Sequence, residues 1–229
     1  HVLTQTDWYQ RAEQLQEEGG QFMFDFDGDE IFHVDLNRTE TVWRLREFGE
    51  FSSFEAQGAL QNMAVMRQNL DIMIKRSNRS QAAFAPPEVS VFPKNQAELE
   101  KPNVLTCFAD KFWPPVISIS WRKNGQEVTD GVLQTVYYPR GDNTFRVFSY
   151  LLLVPARGDI YDCQVEHWAL PGAVRKNWEP TLPVAASETA ETLLCALGLA
   201  VGIVGIVGGT VLIIRAMRMG SARNRRDPL

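Results

Sequence analysis

Histidine and cysteine, the side chains that most often bind metals or take part in catalysis, are scarce in this sequence. The chain of 229 residues has three of each. The histidines His1, His33 and His167 lie far apart, and none falls in a Cys/His metal-binding spacing. The short motifs of serine hydrolases, zinc peptidases and phosphate-binding loops are also missing. The sequence therefore predicts a protein that is not an enzyme, with no catalytic residue, no bound metal and no cofactor.

Basic residues are in short supply outside the last part of the chain. The formal net charge is −5, although five arginines follow the last long apolar run and only Asp227 opposes them there. The residues before that run are therefore more acidic than the chain as a whole. Proteins that bind nucleic acid need a positive surface for the phosphate groups, so this composition excludes nucleic acid as a partner.

The long apolar run lies near the end of the chain. Residues from Leu193 to Ile214 carry no charge, and a helix of that length spans about 33 Å, enough to cross a bilayer. Glutamates precede the run and arginines follow it, which predicts an outer N-terminal part and a cytoplasmic tail. No secretory signal precedes His1, so we expect the mature form of a type I membrane protein whose signal has been removed.

A stripe of small residues lies along one side of this predicted membrane helix. Such a stripe lets a second helix approach closely, although glycine is common in membrane helices and a chance cluster is the alternative. Its members are Gly198, Gly202, Gly205 and Gly209.

Cysteine spacing identifies the second outer domain. Trp121 lies between Cys107 and Cys163, and Tyr161 comes two residues before the second cysteine. This order is typical of an immunoglobulin domain, in which a disulfide joins two sheets, an indole packs on it and a tyrosine forms a corner. The sequence predicts a Cys107–Cys163 disulfide, which needs an oxidising compartment. Cys195 is then expected to be outside this disulfide.

The first 84 residues have strands before a helix. Phe22, Phe24 and Phe26 alternate with other residues, a two-residue turn signal follows at Asp27-Gly28, and apolar strand patterns resume. A calcium loop is the alternative for Asp27-Gly28, but an EF-hand needs its glycine later in the loop. A long helical pattern then runs from Ala56 to Arg76. Strands followed by a helix in one small unit predict an α+β domain.

The predicted helix has three faces, where an ordinary surface helix needs two. The face expected to pack on the sheet holds Ala59, Met63, Met66, Leu70, Met73 and Ile74. The face expected to be in solvent holds Gln61, Ala64, Gln68, Asp71 and Lys75. A mixed third face, which suggests a helix lying along a groove, holds Asn62, Val65, Asn69, Ile72 and Arg76.

Two asparagines on the third face have the chemistry to bind a peptide main chain. Asn62 and Asn69 are seven residues apart, so their amides lie about 10 Å apart along one line. Each amide has one acceptor and two N–H donors, the functions that an extended backbone requires. The alternative is that both are merely solvated helix residues.

Four segments carry a resemblance to a known family. They are Gln21 to Phe32 with the core Phe-Met-Phe-Asp-Phe-Asp-Gly-Asp-Glu, Thr41-Val-Trp43-Arg, Phe51 to Leu60 and Lys75-Arg76-Ser. Together they resemble the membrane-distal domain of MHC class II alpha chains of the DR type. The resemblance implies an α+β half of a peptide-binding groove, then an all-β constant-type immunoglobulin sandwich and one transmembrane α-helix.

The resemblance also implies roles for individual residues. Asn62 and Asn69 would bind the peptide main chain, Ser53 would pair with it through its backbone, and Arg76 would reach an acidic residue of the beta chain. Gln5 and Asp7 would form the floor, where Asp7 stands in place of a glutamate and the segment from Gln10 to Gly19 is longer. A large apolar pocket near the N-terminal end of the peptide would be lined on the alpha-chain side by Phe24, Ile31, Phe32, Trp43 and Phe54. The remaining peptide-binding residues would also be apolar, namely Phe22, Val65 and Ile72.

The implied function is that of the alpha subunit of a heterodimer that presents antigen-derived peptides to T-cell receptors. The implied partners are the beta chain, the peptide, the T-cell receptor and, during loading, the invariant chain and a peptide-editing class II relative. The implied locations are the plasma membrane and endosomal or lysosomal membranes, reached through the endoplasmic reticulum. The expected divisions are residues 1–84 for the peptide-binding domain, 85–179 for the immunoglobulin domain, 180–192 for a stalk, 193–214 for the membrane helix and 215–229 for the tail.

Two other functions compete with presentation. A class II-like peptide-editing chaperone should lack the series Asn62, Asn69 and Arg76 on the helix, carry cysteines in the first domain and have a tyrosine-based sorting signal. This sequence has the series, no cysteine before Cys107 and no tyrosine after Arg215. A single-chain adhesion receptor would need neither the three-faced helix nor the glycine stripe.

Two sites satisfy the rule for N-linked glycosylation, at Asn37-Arg-Thr39 and Asn78-Arg-Ser80. The second follows the helix and matches a site of the family, so we expect it to be used. The sequence leaves the use of Asn37 open. His33 is expected to be a structural histidine, with titration in acidic endosomes as the alternative.

Overall fold

The computed structural model describes residues 1–12, 17–81, 83–180 and 188–224. Two compact units divide the chain, one up to Thr181 and the other from Leu182 onward. The first unit contains the two outer domains, and the second contains the apolar helix. The predicted order of an α+β domain, an immunoglobulin-like sandwich and an apolar helix is confirmed.

A four-stranded antiparallel sheet forms the base of the first domain. Its strands are β1 (Leu3–Ala12), β2 (Glu17–Phe26), β3 (Asp29–Asp35) and β4 (Glu40–Trp43), paired in that order. Asp27 and Gly28 join β2 to β3, and both have positive φ, at 54° and 88°. Two such residues in a row define the tight turn that matches the twist of paired strands, so the predicted hairpin is confirmed at this acidic segment.

Two helices follow the sheet. The short α1 (Phe48–Phe51) was not indicated by the sequence pattern, whereas α2 (Ala56–Arg76) has the bounds that the pattern predicts. Ala56 and Ala59 of α2 are buried. Because their side chains are small, the first turns of the helix lie close to the sheet.

Two residues of α2 depart from the predicted faces. Met73, expected to pack on the sheet, is 59% exposed. Asp71, expected in solvent, forms an ion pair with Arg11 of β1, with Nη2 and Oδ1 2.8 Å apart. Both differences have one cause: the buried arc is rotated toward Asp71, because the end of the β1–β2 hairpin packs against that side of the helix.

The second domain is a two-sheet sandwich. One sheet contains β5 (Glu88–Pro93), β6 (Asn103–Phe112), β9 (Val132–Gln134), β10 (Tyr138–Pro139) and β11 (Phe145–Leu153). The other contains β7 (Ser118–Lys123), β8 (Gln126–Val128), β12 (Tyr161–Glu166) and β13 (Val174–Trp178). The Cys107–Cys163 disulfide joins β6 to β12 across the core, as the cysteine spacing predicts.

Polar groups inside the sandwich have partners. The buried Trp121 indole donates from Nε1 to Ser149 Oγ at 3.0 Å. Tyr161 donates its hydroxyl to Asp159 Oδ2, also at 3.0 Å. A buried polar group costs little when it is hydrogen-bonded, so these contacts fix the orientation of two large rings without a desolvation penalty.

The first domain contacts the second through the lower face of its sheet. The side-chain amide of Gln21 donates to the backbone carbonyl of Tyr137 at 2.6 Å and accepts from its N–H at 2.9 Å. Trp8 makes edge contacts with the rings of Tyr137 and Phe145. These contacts leave the opposite face of the sheet to α2.

Charged residues also lie on this lower face. Asp25 is buried, and burial raises its pKa, while the N–H of Gly28 and the charge of Arg146 act in the opposite direction. His33 Nδ1 lies 2.8 Å from Glu30 Oε1, whose side chain is buried. The structure therefore gives His33 the partner that a structural histidine requires.

The second unit contains α3 (Glu188–Asn224). Its stretch from Glu191 to Met219 is long and apolar enough to cross a membrane. The helix continues past both ends of the uncharged run, so parts of the predicted stalk and tail are helical.

Asp159 provides a test of the tyrosine corner. Burial alone would raise its pKa, but hydrogen bonds from the Ala156 N–H and from Lys123, Asn124 and Tyr161 lower the pKa to about 2. Because the folded pKa lies below the unfolded value, the ionised carboxylate stabilises the fold above about pH 4 and loses this effect as the pH falls toward 2.

We therefore expect Asp159→Asn to lower the free energy of unfolding at pH 7 by about 1.5 to 3 kcal/mol, the range for hydrogen bonds to charged groups. Denaturant unfolding of wild-type and variant ectodomains, followed from pH 7 to pH 2, measures the difference. It should shrink as the pH falls below about 4. A difference that stays constant with pH would contradict this account of the corner.

Candidate functional site

Strand alternation gathers the predicted floor residues on the upper face of the sheet. Side chains on a strand point alternately to opposite faces, and residues opposite each other on paired strands share a face. The relevant pairs are Gln5 with Phe24, Asp7 with Phe22, Phe24 with Phe32, and Phe32 with Trp43.

Five aromatic rings form one cluster at the β4 side of this face. Ring centroids of Phe32 lie 5.0 Å from both Phe24 and Trp43 and 4.8 Å from Phe54, while Phe22 lies 5.1 Å from Phe54. Such spacings are typical of packed aromatic pairs. The structure therefore brings together all of the aromatic residues that the resemblance placed in one pocket.

The cluster divides into a buried and an accessible part. Phe22 and Phe32 are only 2% and 6% exposed, so in this chain they support the site from within the core. Phe24, Ile31, Trp43 and Phe54 pack around them and remain partly exposed. An apolar ligand group would contact this outer layer first.

Asp7 connects the floor to the helix. Its Oδ2 accepts hydrogen bonds from Gln5 Nε2 at 2.9 Å and from Asn62 Nδ2 at 3.1 Å. Its Oδ1 is buried and has no hydrogen-bond partner within the described residues. Each amide that Asp7 holds has a second N–H and a carbonyl oxygen with which to bind another group. The carboxylate thus orients two amides toward the middle of the floor.

The third face of α2 forms the rim of the site. Asn62, Val65, Asn69, Ile72 and Arg76 are all exposed, and Val65 is 55% exposed. These residues extend over about 21 Å of helix. Ser53 is also exposed, in the segment without regular structure between α1 and α2. The rim therefore pairs exposed amides with exposed aliphatic groups, which suits an elongated ligand with both polar and apolar parts.

In the described part of the first domain, α2 is the one long helix that borders the floor. Among the described residues, β1 is bonded to β2 and forms one edge of the sheet. Its outer N–H and C=O groups are thus available to a further strand.

Tyr9 lies on the same face of β1, near the end of the hairpin. Burial raises the pKa of its hydroxyl, and the nearby Glu18 adds to the effect, while Arg67 and Arg11 lower it. Charged residues of the hairpin and of α2 thus meet behind the rim, a contact that the helix pattern did not reveal.

Two further kinds of site were predicted, the glycosylated asparagines and the glycine stripe of the apolar helix. Asn37 and Asn78 are exposed in turns, one after β3 and the other after α2. On α3, a side chain added at Gly198, Gly202, Gly205 or Gly209 would meet no described atom within 4 Å apart from the nearby backbone of the helix itself.

Sequence reasoning missed an apolar surface on the immunoglobulin domain. On the outer face of the five-stranded sheet, Phe108 stacks on Phe148 at 4.7 Å and Phe148 on Tyr150 at 6.3 Å. Leu133 and Leu152 beside them are more than half exposed. The signal was present in β6 and β11, where large apolar residues occupy both alternating faces.

Comparison with family models agrees with this architecture. Residues 1–83 match the class II histocompatibility antigen, alpha domain, and residues 89–170 match the immunoglobulin C1-set domain. Both are families of immune molecules that are not enzymes. Beside these two matches, the chain has the Cys107–Cys163 disulfide and, after the second domain, an apolar helix long enough to cross a membrane. The chain belongs to the MHC class II alpha-chain family.

Proposed function

We propose that this chain binds extended, antigen-derived peptides as the alpha subunit of a class II heterodimer and presents them to T-cell receptors. The observation that carries the proposal is the rim of α2, where Asn62 and Asn69 are exposed on one line above an open floor. Amides at this spacing bind a main chain without depending on its side chains, as a presenter of many peptides requires.

The proposed roles follow from exposure and position. Asn62 and Asn69 bind the peptide backbone, with Ser53 pairing near one end and Arg76 reaching the beta chain near the other. Gln5 and Asp7 form the floor beneath the middle of the peptide. The aromatic cluster takes an apolar peptide side chain, while Val65 and Ile72 contact side chains along the rim.

A beta chain completes the site. Among the described residues β1 is an edge strand of the sheet, and a strand of the beta chain pairs with its outer edge. The outer face of the five-stranded sheet, with Phe108, Phe148 and Tyr150, is apolar enough to pack on another protein. Two separate surfaces of this chain thus require a partner, which supports an obligate heterodimer.

The remaining proposals concern membrane anchoring, glycosylation and the compartments in which peptide is loaded and displayed. The apolar helix anchors the subunit, and its glycine stripe contacts the helix of the beta chain. Asn78 carries an N-linked glycan, and Asn37 is a second acceptor position. The invariant chain and an editing relative act during loading in endosomal or lysosomal membranes before display at the plasma membrane. The domain limits proposed from the sequence, 1–84, 85–179, 180–192, 193–214 and 215–229, complete this assignment.

Acid elution tests the function directly. The purified ectodomain heterodimer should release a set of peptides with overlapping ends, detected by mass spectrometry. An editing chaperone or an adhesion receptor would release none, and that result would overturn the proposal.

Removing one rim amide should accelerate the release of unrelated peptides. The clearest variant is Asn69→Ala, because Asn62→Ala also breaks the contact with Asp7. Leaving the vacated peptide groups without partners costs about 1 to 3 kcal/mol, or roughly 5-fold to 150-fold in dissociation rate. Dissociation of several labelled peptides of different sequence measures the effect.

Two variants control this experiment. Gln68→Ala removes an exposed amide on the solvent side of the same helix, and it should leave dissociation unchanged. Phe24→Ala enlarges the aromatic pocket and should affect chiefly peptides with a bulky residue there. If Asn69→Ala acts on one peptide alone, the amide does not bind main chain.

Replacing Gly202 and Gly205 by leucine tests the stripe on the membrane helix. Bulky side chains separate the two backbones, so crosslinking between the alpha and beta membrane helices should fall. A soluble ectodomain heterodimer should assemble as before. Unchanged crosslinking in membranes would show that the helices meet elsewhere.

A further inference from the structure

Four charged residues meet where the β1–β2 hairpin packs behind α2. Arg11 Nη2 lies 2.8 Å from Asp71 Oδ1, and Arg67 Nη2 lies 3.1 Å from Glu18 Oε1. Each ion pair joins the hairpin to the helix. We call these four residues the charge quartet.

The quartet also has opposite charges side by side within each element. Arg11 and Glu18 are directly opposite each other on β1 and β2, where unlike charges stabilise a sheet. Arg67 and Asp71 are four residues apart on α2, where unlike charges stabilise a helix. Each of the four residues therefore has one oppositely charged neighbour on its own side, hairpin or helix, and another on the opposite side of the hairpin–helix contact.

This pattern selects one position of the helix. If α2 moved by one turn, about 5.4 Å, in one direction, Arg67 would face Arg11. In the other direction, Asp71 would face Glu18. Both alternatives place like charges together, which disfavours them in the same way that charge patterns exclude wrong partners in interfaces.

Close packing beside the quartet leaves little room for other arrangements. A side chain at Gly20 of β2 would lie 2.8 Å from Met63 Sδ on α2 and 3.0 Å from the carbonyl of Trp8. Glycine at this position thus lets the hairpin lie directly against the helix. The quartet acts where the hairpin and the helix are already in contact. Ion pairs of modest energy are therefore enough to choose between the registers.

Asn69 lies between the two helix members of the quartet in sequence, but on the other side of the helix. At 3.6 residues per turn it points about 160° to 200° away from Arg67 and Asp71. Holding the helix from behind therefore sets both its rotation and the height at which Asn69 meets the groove.

We propose that Arg11, Glu18, Arg67 and Asp71 are positioning residues for the groove, which fix the register of the second half of α2 over the floor. The consequence for peptide binding rests on the function proposed above. The effect on the helix itself does not, because it concerns the heterodimer with or without peptide.

Reversing the charges by element isolates the contact between elements. One variant combines Arg11→Glu with Glu18→Arg, and another combines Arg67→Glu with Asp71→Arg. Each keeps the net charge, the composition and the neighbouring opposite charges within its own element, but turns both contacts between hairpin and helix into repulsions. The four substitutions together restore opposite charges at both contacts between hairpin and helix and serve as the matched control.

The measurements are amide hydrogen exchange of residues 66–76 in the purified heterodimer and dissociation of two labelled peptides taken from those eluted by acid. Each reversed element should accelerate exchange by about 2-fold to 30-fold, the effect of losing two partly exposed ion pairs, and should speed peptide release. The fourfold variant should return both rates to the wild-type values. The differences should also shrink at high salt.

The outcomes separate this inference from the proposed function. If the wild-type heterodimer elutes no peptide, the proposed function fails, while hydrogen exchange still tests the quartet. If either element reversal exchanges at the wild-type rate, or the fourfold variant fails to recover, the quartet does not position the helix. A reversed variant that does not assemble supports the inference only when the fourfold variant assembles.

Discussion

The alternation of side chains along β1 and β2 is the constraint on which the first domain depends. One face of these strands carries Gln5 and Asp7 beneath the groove, and the other carries Trp8 against the immunoglobulin domain. A register slip of one residue would exchange the two sets. The upper site and the lower junction are thus two results of one pairing pattern, and neither can change alone.

The lower junction gives the groove a rigid support. Gln21 exchanges two hydrogen bonds with the backbone of Tyr137, while Trp8 packs on the core of the sandwich. The sandwich is in turn organised by the disulfide, Trp121 and the tyrosine corner. Because the floor stands on an ordered domain, binding energy on the upper face need not order the sheet, which favours tight binding.

Two sets of polar contacts position the asparagines of the rim above the upper face of the sheet. Asp7 of the floor accepts a hydrogen bond from the side chain of Asn62 on the rim. The quartet instead contacts the opposite side of α2, near the level of Asn69. The two amides of the rim are therefore positioned by different means, one by direct contact and the other through the helix. Both means use charge: the first depends on Asp7 of β1, and the second on Arg11 of β1 and Glu18 of β2.

The sequence by itself determined the elements and their broad purpose. Asp27-Gly28 specified a hairpin, the uninterrupted pattern from Ala56 to Arg76 specified a helix, and Cys107, Trp121 and Cys163 specified the sandwich, since each signal depends on residues that are near in sequence or share a fixed spacing. The family resemblance added the rim and pocket residues.

Tertiary structure alone decided which faces meet. A helical pattern shows where apolar residues lie around an axis, but it leaves the axis free to rotate by the width of one side chain. Contact with the hairpin settled that rotation, which exposed Met73 and gave Asp71 a partner. In the same way, only strand pairing placed Phe24 opposite Phe32, and only the packing of the cluster buried Phe32 while it left Phe24 partly exposed. These choices depend on surfaces distant in sequence, whose fit no local pattern encodes.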